Sequence, residues 1–126
     1  MKSINATNAP EALGPYCHAV VVVDSLVFTS GQIPLNQQGE VVSEDVKEQT
    51  KQVLENLKVV LQESGASLDS VVKSLIFIKD MNDFQDINAV YGEYFNEHLP
   101  ARSCVEVARL PKDVKVEIEM IAKINN

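Results

Sequence analysis

Arg102 and Glu117 stand in a stretch from Pro100 to Met120 that reads as two alternating strands joined by a turn. Successive side chains of a strand point to opposite faces, so Arg102, Cys104, Glu106 and Ala108 share one side while Ser103, Val105 and Val107 share the other. In the second run Val116, Ile118 and Met120 oppose Lys115, Glu117 and Glu119. A guanidinium offers a planar fork of donors that fits a carboxylate, and a nearby glutamate can take a proton from water or hold it in place. Together they suit hydrolysis of a small substrate that carries a carboxylate. Glu119 lies on the side of Glu117, one pleat repeat or roughly 6.6 Å along the strand, and is the residue against which Glu117 has to be tested. Alternating charge also describes the solvated face of an antiparallel sheet, so the pattern alone does not choose between the two readings.

The elements that must position these residues follow from periodicity. The runs from Tyr16 to Val23 and from Leu26 to Ser30 are rich in β-formers and are separated only by Asp24 and Ser25, the length of a tight hairpin connection, so they should pair antiparallel. Gly31 and Pro34 break the pattern, and the turn residues 36–39 precede a short third run at residues 40–42. Ser43 offers an N-cap. From Glu44 onward Val46, Val53, Leu54, Leu57, Val60 and Leu61 fall on one helical stripe, with Gly65 as a C-terminal stop. Val71 to Lys79 reads as a strand, and Asn82 with Gln85 has the spacing of a capping box for a second helix. That helix is apolar at Phe84, Ile87, Tyr91, Tyr94 and Phe95, and Asn88 interrupts it. The plan is α+β, a mixed sheet with two amphipathic helices, and two helices cover only one face. The other face carries Ile121 beside Glu117 and Glu119, and pairing with another copy of the chain is the simplest way to shelter it.

Length and composition narrow the classes of function. A chain of 126 residues, 45% hydrophobic, suits one domain over residues 1–126. A net charge of -7, with eleven Lys and Arg scattered along the chain, argues against nucleic acid as the main partner. No apolar run reaches the length of a signal peptide core or a membrane span, which places the protein in the cytoplasm with no membrane partner. Cys17 and Cys104 lack metal-type spacing and read as reduced thiols. Cys17 and His18 are adjacent in a strand and face opposite ways, so they form no dyad with each other. His98 falls at the end of the second helix, and two histidines without partner spacing give no metal site.

Three blocks carry a resemblance to a known family: Gly14-Pro15-Tyr16, the segment Phe28-Thr29-Ser30-Gly31-Gln32-Ile33-Pro34, and the Pro100 to Met120 stretch. Together they resemble the Rid family, the reactive intermediate imine deaminases also called RidA or YjgF, over a region from about Asn8 to Ala122. The resemblance implies a homotrimer of chorismate-mutase-like subunits with sheets packed inward and clefts between neighbours. It implies that Arg102 clamps a substrate carboxylate and that Glu117 directs water at a C=N carbon. It also brings Tyr16, Ser30, Gly31, Asn88 and Cys104 to the substrate, Cys104 through its backbone rather than its sulfur. The implied reaction converts 2-iminobutanoate and 2-iminopropanoate, released by pyridoxal-phosphate dehydratases, to 2-oxo acids and ammonia. No metal or organic cofactor is required for it. RNA cleavage, also attributed to members of the family, and a non-enzymatic module that holds small carboxylates or unfolded chains are the alternatives. This chain departs from the usual family wording at Cys17 and His18, which stand where Ser and Gln are common.

Overall fold

The computed structural model describes residues 1–22 and 25–125. Val116, Ile118, Met120 and Ala122, every second residue of the strand Val116–Lys123, are sealed from solvent, and the other elements are arranged to keep them so. That strand is β6. The others are β1 (Lys2–Ile4), β2 (Ala19–Val22), β3 (Leu26–Thr29), β4 (Val71–Ile78) and β5 (Ala101–Glu106), joined in one mixed sheet of order β1-β2-β3-β6-β4-β5. All pairings are antiparallel except β4 with β5, which is parallel. A parallel pair needs a crossover, and α2 (Phe84–Tyr94) supplies it. Helix α1 (Val46–Glu63) links β3 to β4, and both helices share one core with the buried side of β6.

Each helix has a local cause. The stripe of Val46, Val53, Leu54, Leu57, Val60 and Leu61 is buried, as its spacing requires. Asp45, not Ser43, is the N-cap: its carboxylate accepts the Glu48 amide at 2.9 Å, while the Ser43 hydroxyl oxygen accepts the Asp45 amide one step outside. At the other end Gly65 adopts φ 86°, and the Ala66 and Gly65 amides turn back to the Leu61 and Gln62 carbonyls. This closure needs the left-handed backbone that glycine adopts without strain.

The stripe of α1 also buries two amides that periodicity does not reveal. Asn56 Nδ2 donates to the Leu35 carbonyl at 3.0 Å and to the Ile33 carbonyl at 3.4 Å. Gln49 Nε2 donates to the Ser43 carbonyl, and its Oε1 accepts the Lys115 amide, both at 2.8 Å. Two helix side chains thus fasten the segment that leaves Gly31 and the segment that enters Glu117.

Several sequence expectations are corrected. The last two strands are not joined as a hairpin, because β4 lies between β5 and β6 and the connection, residues 107–115, carries a single 3₁₀ turn at Pro111–Asp113. The expected capping box is not formed: Asp80 accepts the Asn82 amide in a 3₁₀ turn, Met81–Asp83, ahead of α2. His98 lies beyond the end of α2 and bonds the Val71 carbonyl. The short run at residues 40–42 contributes only a bridge between Val41 and Leu35. The N-terminal strand β1 has no clear periodicity in its three residues. Strands β2 and β3 pair antiparallel, and of their expected connection Asp24 lies outside the described residues.

The face of the sheet away from the helices is mixed, with Glu117 and Glu119 among apolar residues, and partly open. Phe28 is 41% exposed and Val105 44%, on the same side as the half-buried Leu75 and Ile121. Phe77 packs against a small second cluster of Ile33, Leu35, Leu110 and Val114. Replacing the buried Asn56 by Ala should lower stability by about 1–3 kcal/mol, because it orphans loop carbonyls. A denaturant midpoint indistinguishable from wild type contradicts the fastening role.

Candidate active site

A one-residue bulge builds the first group of candidate residues. From Phe28, opposite Ile121, to Gln32, opposite Ile118, the chain after β3 advances four positions while β6 advances three. Such an insertion twists the strand and re-aims what it carries. The Met120 amide, which faces the bulge, is satisfied by the Thr29 hydroxyl at 2.9 Å. The Ser30 hydroxyl donates to the Cys17 carbonyl at 2.6 Å, and the Ser30 amide to the His18 carbonyl at 2.8 Å. Gly31 then comes to lie directly under Glu117. A Cβ on Gly31 would collide with Glu117 Oε2 and would stand 2.8 Å from its Cδ, so the carboxyl group rests on bare backbone.

Glu117 closes a cleft of about 270 Å³ whose walls include Tyr16, Leu13, Ile33 and Pro111. Tyr16 is held by its hydroxyl oxygen, which accepts the Leu13 amide at 3.0 Å. Burial, followed by the like charge of Glu119 on the same face, pushes the Glu117 carboxyl above the usual glutamate range. Glu119 thus acts on Glu117 through its charge, and it is not among the residues lining the cleft. His18 supports the loop behind Tyr16: its Nδ1 accepts the Ala6 amide at 2.8 Å and its Nε2 donates to the Pro10 carbonyl at 2.7 Å. Both ring nitrogens are therefore occupied in a buried structural role.

The second group lies on β5 and α2. Arg102 donates from Nη1 to Asn88 Oδ1 at 2.7 Å, and its Cζ stands 5.0 Å from the Tyr91 ring centre and 5.6 Å from that of Phe84. Among the described residues no carboxylate lies within 4.0 Å of it; the ion pairs are Lys47 with Asp86 and Arg109 with Asp113. Cys104 is partly buried against the main core, and that burial pushes its thiol pKa up, while Arg102 pulls less strongly the other way. A raised thiol is a poor nucleophile at neutral pH. Glu106, third on this side of β5, caps the turn before α2 by accepting the Met81 amide at 2.7 Å.

The two groups do not meet within the subunit. Arg102 pairs in register with Ser74, whose side chain is buried under Tyr91, whereas Glu117 pairs with Phe77 on the other side of the sheet. Three residues along the strands and two strands across separate them by on the order of 14 Å, and they point in opposite directions. The sequence leaves open whether they meet within one subunit; the strand order places them on opposite faces. Tyr16, Ser30, Gly31 and Glu117 form one group, and Arg102, Asn88 and Cys104 the other. Phe84 and Tyr91 read in the sequence as core positions alone, yet they floor the guanidinium. The positions 84, 88 and 91 form one helical stripe, which was the available signal.

A family model described as Endoribonuclease L-PSP matches residues 6–124. The chain is 52% identical over 124 residues to the 2-iminobutanoate/2-iminopropanoate deaminase of Salmonella typhimurium, covering 96% of each chain. It is 54% identical over 115 residues to a RutC family protein of Pyrococcus abyssi, covering 90% of each. Among solved structures, Escherichia coli TdcF with bound serine superposes with a TM-score of 0.92 at 49% identity, over 99% of this chain and 100% of that one. The match runs over nearly the whole chain, and the chain belongs to the Endoribonuclease L-PSP family, the Rid proteins its sequence resembles.

Proposed function

We propose that this protein is a deaminase that hydrolyses 2-imino acids, and the enamines that tautomerise to them, to 2-oxo acids and ammonia. 2-Iminobutanoate and 2-iminopropanoate are the substrates named for its relatives at about half identity. The observation that carries the reading is Arg102, a guanidinium fixed by Asn88 with no carboxylate partner among the described residues and donors left for an incoming one. The serine bound in the TdcF structure is a small carboxylate of the same kind.

Because Arg102 and Glu117 face apart, the active site is completed by a second copy: Arg102 of one subunit grips the carboxylate while Glu117 of its neighbour faces the imine carbon. The apolar residues exposed on the open face support that association, and a cyclic homotrimer of chorismate-mutase-like, one-domain subunits with sheets packed inward satisfies both the face and the site. We place this assembly in the cytoplasm, where pyridoxal-phosphate dehydratases would supply the substrate.

The chemistry is a balanced hydrolysis. Water, held by the Glu117 carboxylate and a backbone carbonyl near Cys104, adds to the C=N carbon; a C–O bond forms and a proton passes to Glu117. Glu117 returns that proton to the nitrogen; the hydroxyl of the resulting carbinolamine then passes its own proton through Glu117 to the nitrogen, and ammonia leaves as the C=O bond forms and the C–N bond breaks. Tyr16, Ser30 and the bare backbone of Gly31 shape the floor on which the substrate lies. Free imines already hydrolyse in water, so positioning with one acid-base group gives sufficient acceleration. The family description raises RNA cleavage as a second activity, but the lining of the Glu117 cleft contains no lysine or arginine, and the chain carries a net charge of -7. Cleavage that survives in an Arg102→Ala, Glu117→Ala double variant after repurification would identify a contaminant.

The direct test couples a threonine dehydratase to this protein and follows 2-oxobutanoate against a semicarbazide trap. Wild type should outrun the trap, Arg102→Ala should not, and Arg102→Lys should recover little because the fork is lost. Mixed oligomers of Arg102→Ala and Glu117→Ala subunits should regain about one quarter of wild-type activity by random assortment around a ring. Mixtures no more active than their parents contradict a shared site.

Gly31→Ala should cost about 10²-fold in kcat by displacing the Glu117 carboxylate. Its melting temperature should stay near wild type, since the atoms that must move are the end of a flexible side chain. Unchanged kcat separates Glu117 from the chemistry.

Activity requires the ionised Glu117, so its acid limb should lie above the pH expected for an ordinary glutamate. Glu119→Gln removes a like charge, lowers the Glu117 pKa and should move that limb to lower pH. A limb that stays in place assigns the titration to another group.

A further inference from the structure

Arg102 sits on an edge strand, where a long cationic side chain has many rotamers open to it, yet carboxylate capture by a planar fork needs one orientation. Its strand neighbours do not supply that restraint. The stripe 84, 88, 91 of α2 does: Asn88 takes one of the guanidinium donors at 2.7 Å, and the rings of Phe84 and Tyr91 lie 5.6 and 5.0 Å from Cζ. The Tyr91 ring is itself anchored. Its hydroxyl donates to the fully buried Ser74 at 2.9 Å, and its face stacks on Phe95 with centres 4.6 Å apart. Ser74 is also the register partner of Arg102 on β4, so the same residue fixes the strand that carries the cation and the ring beneath it.

We propose that Phe84 and Tyr91 are positioning residues that hold the Arg102 guanidinium in its carboxylate-accepting orientation through their ring faces, with Asn88 setting its rotation. The inference rests on the reading of Arg102 as the carboxylate clamp and adds to it the residues that make the clamp rigid. They touch no reacting atom. Their effect is felt in the binding of the acid group, which Arg102 grips, and not in the attack of water, which proceeds at Glu117.

Phe84 is the better probe, because it is partly exposed while Tyr91 is built into the core. Phe84→Leu keeps apolar bulk and removes the ring face; Phe84→Tyr keeps the face. In the imine hydrolysis assay Phe84→Leu should raise KM about tenfold with kcat and melting temperature within twofold and two degrees of wild type, as expected for one lost cation–ring contact at a partly desolvated site. Phe84→Tyr should restore the wild-type KM. In the same variants the side-chain Nε–H order parameter of Arg102, measured by NMR, should fall for Leu and recover for Tyr. An unchanged KM and order parameter in Phe84→Leu overturns the proposal. So does a Tyr variant as impaired as the Leu variant, since that assigns a packing role. Full activity in Arg102→Ala is a different result: it removes the clamp reading itself, whatever Phe84 does.

Discussion

Side chains on a strand alternate between faces, and this single constraint governs the whole molecule. On β6 it sends Val116, Ile118, Met120 and Ala122 beneath the helices and leaves Glu117, Glu119 and Ile121 on the other side. On β5 it sends Arg102 and Cys104 toward α2. Because β4 separates the two strands in register, no side-chain rotation brings Arg102 to Glu117 within one copy. The fold therefore keeps the two groups of candidate residues apart, each on its own scaffold. The exposed Phe28 and Val105 and the half-buried Leu75 and Ile121 leave apolar surface beside Glu117 and Glu119 that a second copy would cover.

Each group is held by a separate device. At Glu117 the device is negative space: one extra residue in the chain after β3, a threonine hydroxyl that replaces the missing ladder bond, and a glycine that leaves room for a carboxyl group. The flanking segments are tied to α1 by Gln49 and Asn56. At Arg102 the device is surface: two rings and an amide on one stripe of α2. A reaction that needs only a held carboxylate, a directed water and a proton relay asks for little more than this.

Much of this was legible in the chain. The strand at 116–122 and the stripe of α1 have clean periods, and Gly65 marks a helix end that only a left-handed residue closes comfortably. The separation of β5 from β6 was not legible, because the length of the 107–115 connection does not say which strands lie side by side. That is a long-range choice, settled by where β4 packs. Gln49 and Asn56 were missed because polar residues on a helical stripe look like solvated positions until the loops they hold are in place. The apolar readings of Phe84 and Tyr91 were correct as far as burial goes and incomplete as to what they support. Asn88 was visible as an interruption, and its partner turned out to be Arg102.

A crystal structure of the assembled protein with 2-oxobutanoate bound tests the central claim most directly. The account predicts the ligand carboxylate in a bidentate grip by Arg102 of one subunit, with its carbonyl carbon turned toward Glu117 and the Gly31 backbone of the neighbouring subunit. A ligand bound at Glu117 with its carboxylate held by other groups, and Arg102 of every subunit directed away from it, would contradict the account.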